Sequence, residues 1–257
     1  MILYGLRHRP LPLAIVLALI AIRLLWSPSP ELGMNMTMAE CWGLAFAIVA
    51  GMSIVSIAAR TTWLAWQSAR SLARLPRTAF AARTALLTTE EPLAFCAGML
   101  RPRVYVSAGL AKRLSDDELR AVLCHEAAHA RRRDPLRRVL LSAATDVLFF
   151  LPLLRWAARV QKERAELCAD RAAIEQVGAR HVAGALLAME GRTAPAGVAA
   201  FDGSAAARVA QLVGDAPPSH RISLGLVGLS LAGLAAATSL MMCVGQGLWM
   251  FVTTWGL

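Results

Sequence analysis

No C-x-x-C pair occurs in this chain, and its five cysteines (Cys41, Cys96, Cys124, Cys168 and Cys243) are odd in number. A disulfide framework is therefore not expected, and each cysteine reads as a small apolar residue of a helix or membrane segment. Charge is scarce too: 17% of residues are charged against 57% hydrophobic, and the mean hydropathy is +0.51. That is too apolar for an ordinary soluble protein and indicates a membrane protein. Acidic residues are the scarcest, 17 against 27 basic ones, which leaves a net charge of +10. In a membrane protein an arginine excess marks cytoplasmic loops facing anionic lipid, so the bilayer is the expected partner and nucleic acid is not. Internal repeats are absent, which excludes a solenoid.

Three stretches have the length and apolarity of membrane spans. Residues 11–26 are apolar apart from Arg23, and no A-x-A-like cleavage site follows, so a retained signal anchor is expected. Residues 41–59 carry no charge and at 1.5 Å per residue reach across a core of about 30 Å. Residues 222–257 carry no charge either; 222–243 form the third expected span, with Trp249 and Trp255 suited to the interface. The loop at 27–37 has Glu31 and no basic residue, whereas Arg60, Arg70, Arg74 and Arg77 follow the second span. The positive-inside rule then puts the N-terminus and the long segment after Ala59 in the cytoplasm. The expected division is a transmembrane hairpin at 1–60, a cytoplasmic domain at 61–221, and a C-terminal span with a short tail at 222–257.

The chemistry is concentrated at residues 115–134, SDDELRAVLCHEAAHARRRD, which contain His125, Glu126 and His129 in the order H-E-x-x-H. Residues four apart lie on one helix face, so both imidazoles can reach one zinc ion with Glu126 beside the water it activates. Helix signals surround the motif. Ser115 and Glu118 form a capping box, Asp116 and Asp117 suit the positive end of the helix dipole, and Arg131 to Arg133 suit its negative end. Asp134 and Pro135 read as the N-cap and first position of a second helix. Downstream, ERAELCADRAA places Glu166 and Asp170 four apart on a helical stretch at 153–178. Glu166 is a natural third zinc ligand, leaving the fourth position for water, and Asp170 a natural acceptor for a ligand histidine N–H.

The connections are read in the same way. Residues 63–80 alternate apolar and arginine positions like a juxtamembrane amphipathic helix. Residues 86–107 read as a strand, a turn at Arg101 to Arg103 and a second strand, VYVS, placed either to hold a substrate backbone or simply to pack against the domain. If residues 139–158 crossed the membrane, Glu166 would emerge about 30 Å from the histidines. A helical hairpin near 136–165, turning at Leu151 and Pro152 against or within the membrane face, is expected instead. Residues 191–220 read as a loose connection around a short helix at 204–213. His181 and nearby arginines are unassigned candidates for stabilising an oxyanion.

The run PLAFCAGMLRPRVYVSAGL…LSDDELRAVLCHEAAHARRRDPL, continued by ERAELCADRAA, resembles the BlaR/MecR-type membrane metallopeptidases, with weaker echoes in FDGSAAARVAQLV. The resemblance implies a mainly α membrane protein carrying a cytoplasmic α+β zincin-like domain, with a small β element before the H-E-x-x-H helix. It implies a single Zn2+ on His125, His129 and Glu166, Glu126 as catalytic base and Asp170 in support. It further implies a bacterial inner-membrane location and a protein substrate, a cytosolic transcriptional repressor; a homodimer is allowed for. The antibiotic sensors of that group carry a penicillin-binding domain with S-x-x-K and K-T-G motifs beyond the last span. This sequence does not show one, so direct β-lactam sensing is not expected. Two alternatives share some of these features: an HtpX-type quality-control protease, in which two spans usually separate the motifs, and a non-catalytic signalling scaffold.

Overall fold

A computed structural model describes residues 37–81, 83–189, 205–215 and 220–254. The span expected at 11–26 and the anchor Trp255 lie outside the described residues. The chain divides into two compact units, one comprising residues up to Val55 and from Ala232 onward, the other Ser56–Leu231. Among the described residues two helices are long and apolar enough to cross a membrane, Trp42–Ala73 and Leu224–Phe251, as expected of a membrane protein. In the first unit the two helices meet at a small residue. A Cβ on Gly245 would collide with the indole of Trp42, so glycine permits the close approach.

Helix α1, Met38–Ala73, runs without a break through both the expected second span and most of the expected amphipathic segment. No glycine or proline interrupts residues 52–75, so nothing locally separates the two. Pro76 ends the helical run, and residues 77–81 form a strand, contrary to the amphipathic-helix reading of that stretch. The strand is held by sheet pairing: β1 (Arg77–Ala81) forms a hairpin with β2 (Thr84–Leu87), which lies parallel to the more distant β4 (Arg103–Ser107), while β3 (Ala94–Ala97) pairs antiparallel with β4. The sheet order is β1-β2-β4-β3, so β3 is an edge strand. The expected strand–turn–strand is the β3–β4 hairpin, with β1 and β2 added beside it.

Alternation along β4 builds two cores. Val104 and Val106 pack with Leu110, Leu114, Ala121 and Val122 toward the helices, while Tyr105 turns to the other face and stacks on Phe95 at 5.1 Å. Ser107 then caps the short helix α2 (Ala108–Ala111), its hydroxyl accepting from the backbone N–H of Leu110 and of Leu93. Helix α3, Asp116–Arg132, opens with the complete capping box between Ser115 and Glu118. It ends at Arg133, which adopts left-handed geometry (φ 55°), and α4 (Asp134–Val147) starts at once. Asp134 is therefore not the expected N-cap, because its carboxylate is engaged by His129.

A turn at 148–151 joins α4 to α5 (Pro152–Val177), with Pro152 in the first turn of α5. Asp146 pairs with Arg60 of α1 at 3.0 Å. Helices α6 (Ala179–Met189) and α7 (Ala205–Val213) pack against α5, and in the second turn of α8 (Leu224–Thr254) the Ser230 hydroxyl accepts the N–H of Leu153.

Leu110 is fully buried where the sheet meets α3. Leu110→Ala should destabilise the protein by about 2–5 kcal/mol, read as a lowered midpoint in chemical unfolding of the detergent-solubilised chain.

Candidate metal centre

Helix α3 carries His125 and His129 one turn apart, and α5 packs alongside it with Glu166 facing them. The Nε2 atoms of the two imidazoles are 3.2 Å apart, and Glu166 Oε2 lies 3.5 Å from the first and 3.7 Å from the second. Four ligands on arms of 2.0–2.1 Å around a tetrahedral zinc stand about 3.3 Å from one another, so these separations fit three corners of such a site. The three residues could hold one ion. Of the residues singled out in the sequence, this cluster unites His125, His129 and Glu166, with Glu126 buried beside them in the same cleft.

Both imidazoles are oriented from behind. His125 Nδ1 lies 2.9 Å from Asp170 Oδ1, and His129 Nδ1 lies 2.8 Å from Asp134 Oδ2. A carboxylate that accepts the Nδ1 proton fixes the tautomer and leaves the Nε2 lone pair for a ligand bond. Asp170 was expected in that role; Asp134 was not. Its only local signal was its place five residues after His129, and the Asp-Pro pair read as a helix start.

Two arginines complete the surroundings. Arg138 Nη2 donates to Glu166 Oε1 at 2.6 Å, and Arg208 grips Asp170 through Nε and Nη2, both at 2.6 Å. The cleft holds about 120 Å³ and is lined on one side by Ala94, Phe95 and Cys96 of β3. Lys162 and Arg138 stand on its wall, whereas His181 lies near Glu118 at the start of α3 and does not line the cleft. Half-buried Cys96 is pushed up to about 12, by desolvation first and then by the charge of Glu126, so its thiol stays protonated. Cys124 packs at the helical core and Cys168 is exposed.

The electrostatics are those of a tightly coupled cluster. Burial opposes charge on Glu166, but hydrogen bonds from His125 and His129 outweigh it and hold the carboxyl well below its usual range. Burial likewise opposes charge on His125, yet Asp170 and Glu166 raise it to about 9; His129 is raised through Asp134 and Glu166 against the same penalty. Asp134 and Asp170 are both lowered despite burial, by the histidines and arginines that face them.

Residues 37–199 match the family model of the BlaR1 peptidase M56. The chain belongs to the BlaR1 peptidase M56 family. No curated protein matches it. Membership of the M56 family implies a metallopeptidase, hence a metal ion and a protein substrate, and it agrees with the BlaR/MecR-type resemblance of the sequence. Arg208 lies beyond the residues that the M56 model matches.

Two measurements follow from this geometry. Asp134→Asn should weaken metal binding by about tenfold to a hundredfold in chelator competition, because the histidine loses its charged orienting partner. In the wild type, metal affinity should keep rising with pH to about 9, since His125 must release its proton to ligate; a profile levelling off near 6.5 would contradict the raised value. The sign is opposite for the chelator-treated protein. There the His125 ion pairs add stability in full below about 6.5 and lose it as pH rises through about 9.

Proposed function

We propose that this chain is a membrane-anchored zinc endopeptidase that cuts a cytosolic protein, a transcriptional repressor or related regulator, within a signalling response. The observation that carries the reading is the convergence of His125 Nε2, His129 Nε2 and Glu166 Oε2 on one point, with Glu126 beside it in a cleft. His125, His129 and Glu166 would hold Zn2+. When bound, zinc supplies a Lewis acid that polarises the scissile carbonyl and acidifies water.

The remaining steps belong to the protein. Glu126 lies next to the first ligand in sequence and is buried at the cleft, placed to take the proton of the attacking water and pass it to the leaving amine. Strand β3, at the edge of the sheet among the described residues, lines the same cleft, so an extended substrate can add to the sheet there and present its carbonyl to the centre. Asp134 and Asp170 hold the imidazoles in place, and Arg138 fixes Glu166 through the oxygen turned away from the histidines.

Orientation follows from charge. Arg60, Arg70 and Arg74 follow the apolar part of α1, which favours a cytoplasmic catalytic domain at 61–221 between a transmembrane hairpin at 1–60 and the span at 222–257. In a bacterium this is the inner membrane. Among the described residues no candidate span lies between His129 and Glu166, an observation that favours the regulatory reading over the quality-control one.

The test compares cells making the wild type with cells making Glu126→Gln. Zinc content should be equal in the two purified proteins, and a cytosolic protein should be cut only in the wild-type cells. Undiminished proteolysis by Glu126→Gln would overturn the mechanism, and a wild type that binds no zinc would overturn the assignment as a whole.

A further inference from the structure

Helix α7 contributes a side chain that the metal-helix motifs do not contain. Arg208 is 5% exposed, and its partner Asp170 is fully buried. A guanidinium so deeply buried must satisfy its donors on protein acceptors, and here it does so in a directed way. Nε meets Asp170 Oδ2 and Nη2 meets Asp170 Oδ1, each at 2.6 Å, the two parallel bonds of a planar fork on a carboxylate. The third nitrogen, Nη1, lies 3.7 Å from Glu166 Oε2, the same oxygen that faces both histidine Nε2 atoms.

The consequence runs through Asp170. Its Oδ1 is shared between the Arg208 fork and His125 Nδ1, at 2.6 and 2.9 Å. A carboxylate free to rotate about its terminal torsion would not hold an imidazole in one plane, because that torsion is broad and soft. Two bonds from one rigid fork remove the freedom. Gln211, one turn further on, donates to the carbonyl of Leu167, which seats α7 on the turn of α5 between Glu166 and Asp170. Helix α7 is thereby tied to α5 by a charged and a neutral contact on the segment that carries the third ligand.

We propose that Arg208 is a positioning residue of the metal centre, acting through Asp170 on His125 and directly beside Glu166, so that docking of α7 completes the site. This rests on the reading of His125, His129 and Glu166 as a zinc site. A buried ion pair of this kind is a poor source of net stability, because the desolvation of two charges offsets most of their attraction. Its effect lies in orientation, where partners of ligand side chains typically change metal affinity by about 10–100-fold.

The test uses the full chain in detergent, with wild type, Arg208→Gln and Arg208→Lys, each also combined with Asp170→Asn. Zinc affinity is read by chelator competition, ligand geometry by the absorption spectrum of the Co2+-substituted protein, and fold by thermal unfolding after chelator treatment. Arg208→Gln should bind zinc about 10–100-fold more weakly and shift the cobalt spectrum. Arg208→Lys keeps the charge but not the fork, so it should recover only part of the loss and supplies the reading if the glutamine variant does not fold. In the Asp170→Asn background, removing Arg208 should add less than about threefold, as expected of two residues acting in one chain of contacts. Wild-type affinity and spectrum in a folded Arg208 variant would overturn the proposal, as would full additivity with Asp170→Asn. A wild type without zinc affinity would instead sink the metal-site reading on which it stands.

Discussion

Two imidazole nitrogens and one carboxylate oxygen must meet within a few ångströms, and most of the catalytic unit is arranged to satisfy that demand. The histidines come from one helix and the carboxylate from another, so α3 and α5 have to lie side by side in a fixed register. The chain between them is short. It turns sharply at Arg133, whose left-handed geometry costs a non-glycine residue about 1–2 kcal/mol. That turn does more than redirect the chain: it swings the Asp134 carboxylate back onto His129. The local strain and the orientation of a ligand are two consequences of one backbone torsion.

Burying so much charge sets a second constraint. His125, His129, Glu126, Glu166, Asp134, Asp170 and Arg208 stand within or around one small cleft, and burial opposes the ionised form of each titratable group whose value is displaced there. Mutual pairing overcomes that opposition. The carboxylates hold the histidines, and the arginines hold the carboxylates, so each side chain of the cluster is aimed by a group that is itself aimed. Such a network tolerates little change in any member, since a charge left without its partner is far costlier than the intact pair is stabilising. At Cys96 desolvation and the charges of Glu126 and Asp134 outweigh the opposing charge of Arg138, so the thiol remains neutral.

The catalytic unit also takes in the ends of both apolar helices. Arg60 of α1 pairs with Asp146 of α4, giving that acidic residue a partner in an otherwise apolar run, and Ser230 of α8 accepts the N–H of Leu153 at the start of α5. Each is a single polar contact on a helix that packs at the metal centre. Exposed Trp63 and Trp66, with Arg70 stacked 5.0 Å over Trp66, extend α1 beyond its apolar part in the manner of an interfacial segment. The helix does not break there because its sequence contains no breaker before Pro76.

The sequence alone determined what depends on local periodicity. The four-residue spacing of His125 and His129, that of Glu166 and Asp170, the capping box at Ser115 and the uncharged runs each follow from neighbours along one helix, and each was readable without the fold. Requiring the two halves of the site to meet also pointed to a hairpin between them. Only the tertiary structure decided the rest. The four-stranded sheet depends on parallel pairing between β2 and β4, which are separated by β3 in the chain, and β1 at 77–81 joins it only through β2. Asp134 looked like a helix cap because its true partner is chosen by a left-handed turn that no residue type announced. Arg208 lies in FDGSAAARVAQLV, a stretch whose resemblance carried no residue role, and an arginine on a short helix acquires one only when folding buries it against a carboxylate 38 residues away.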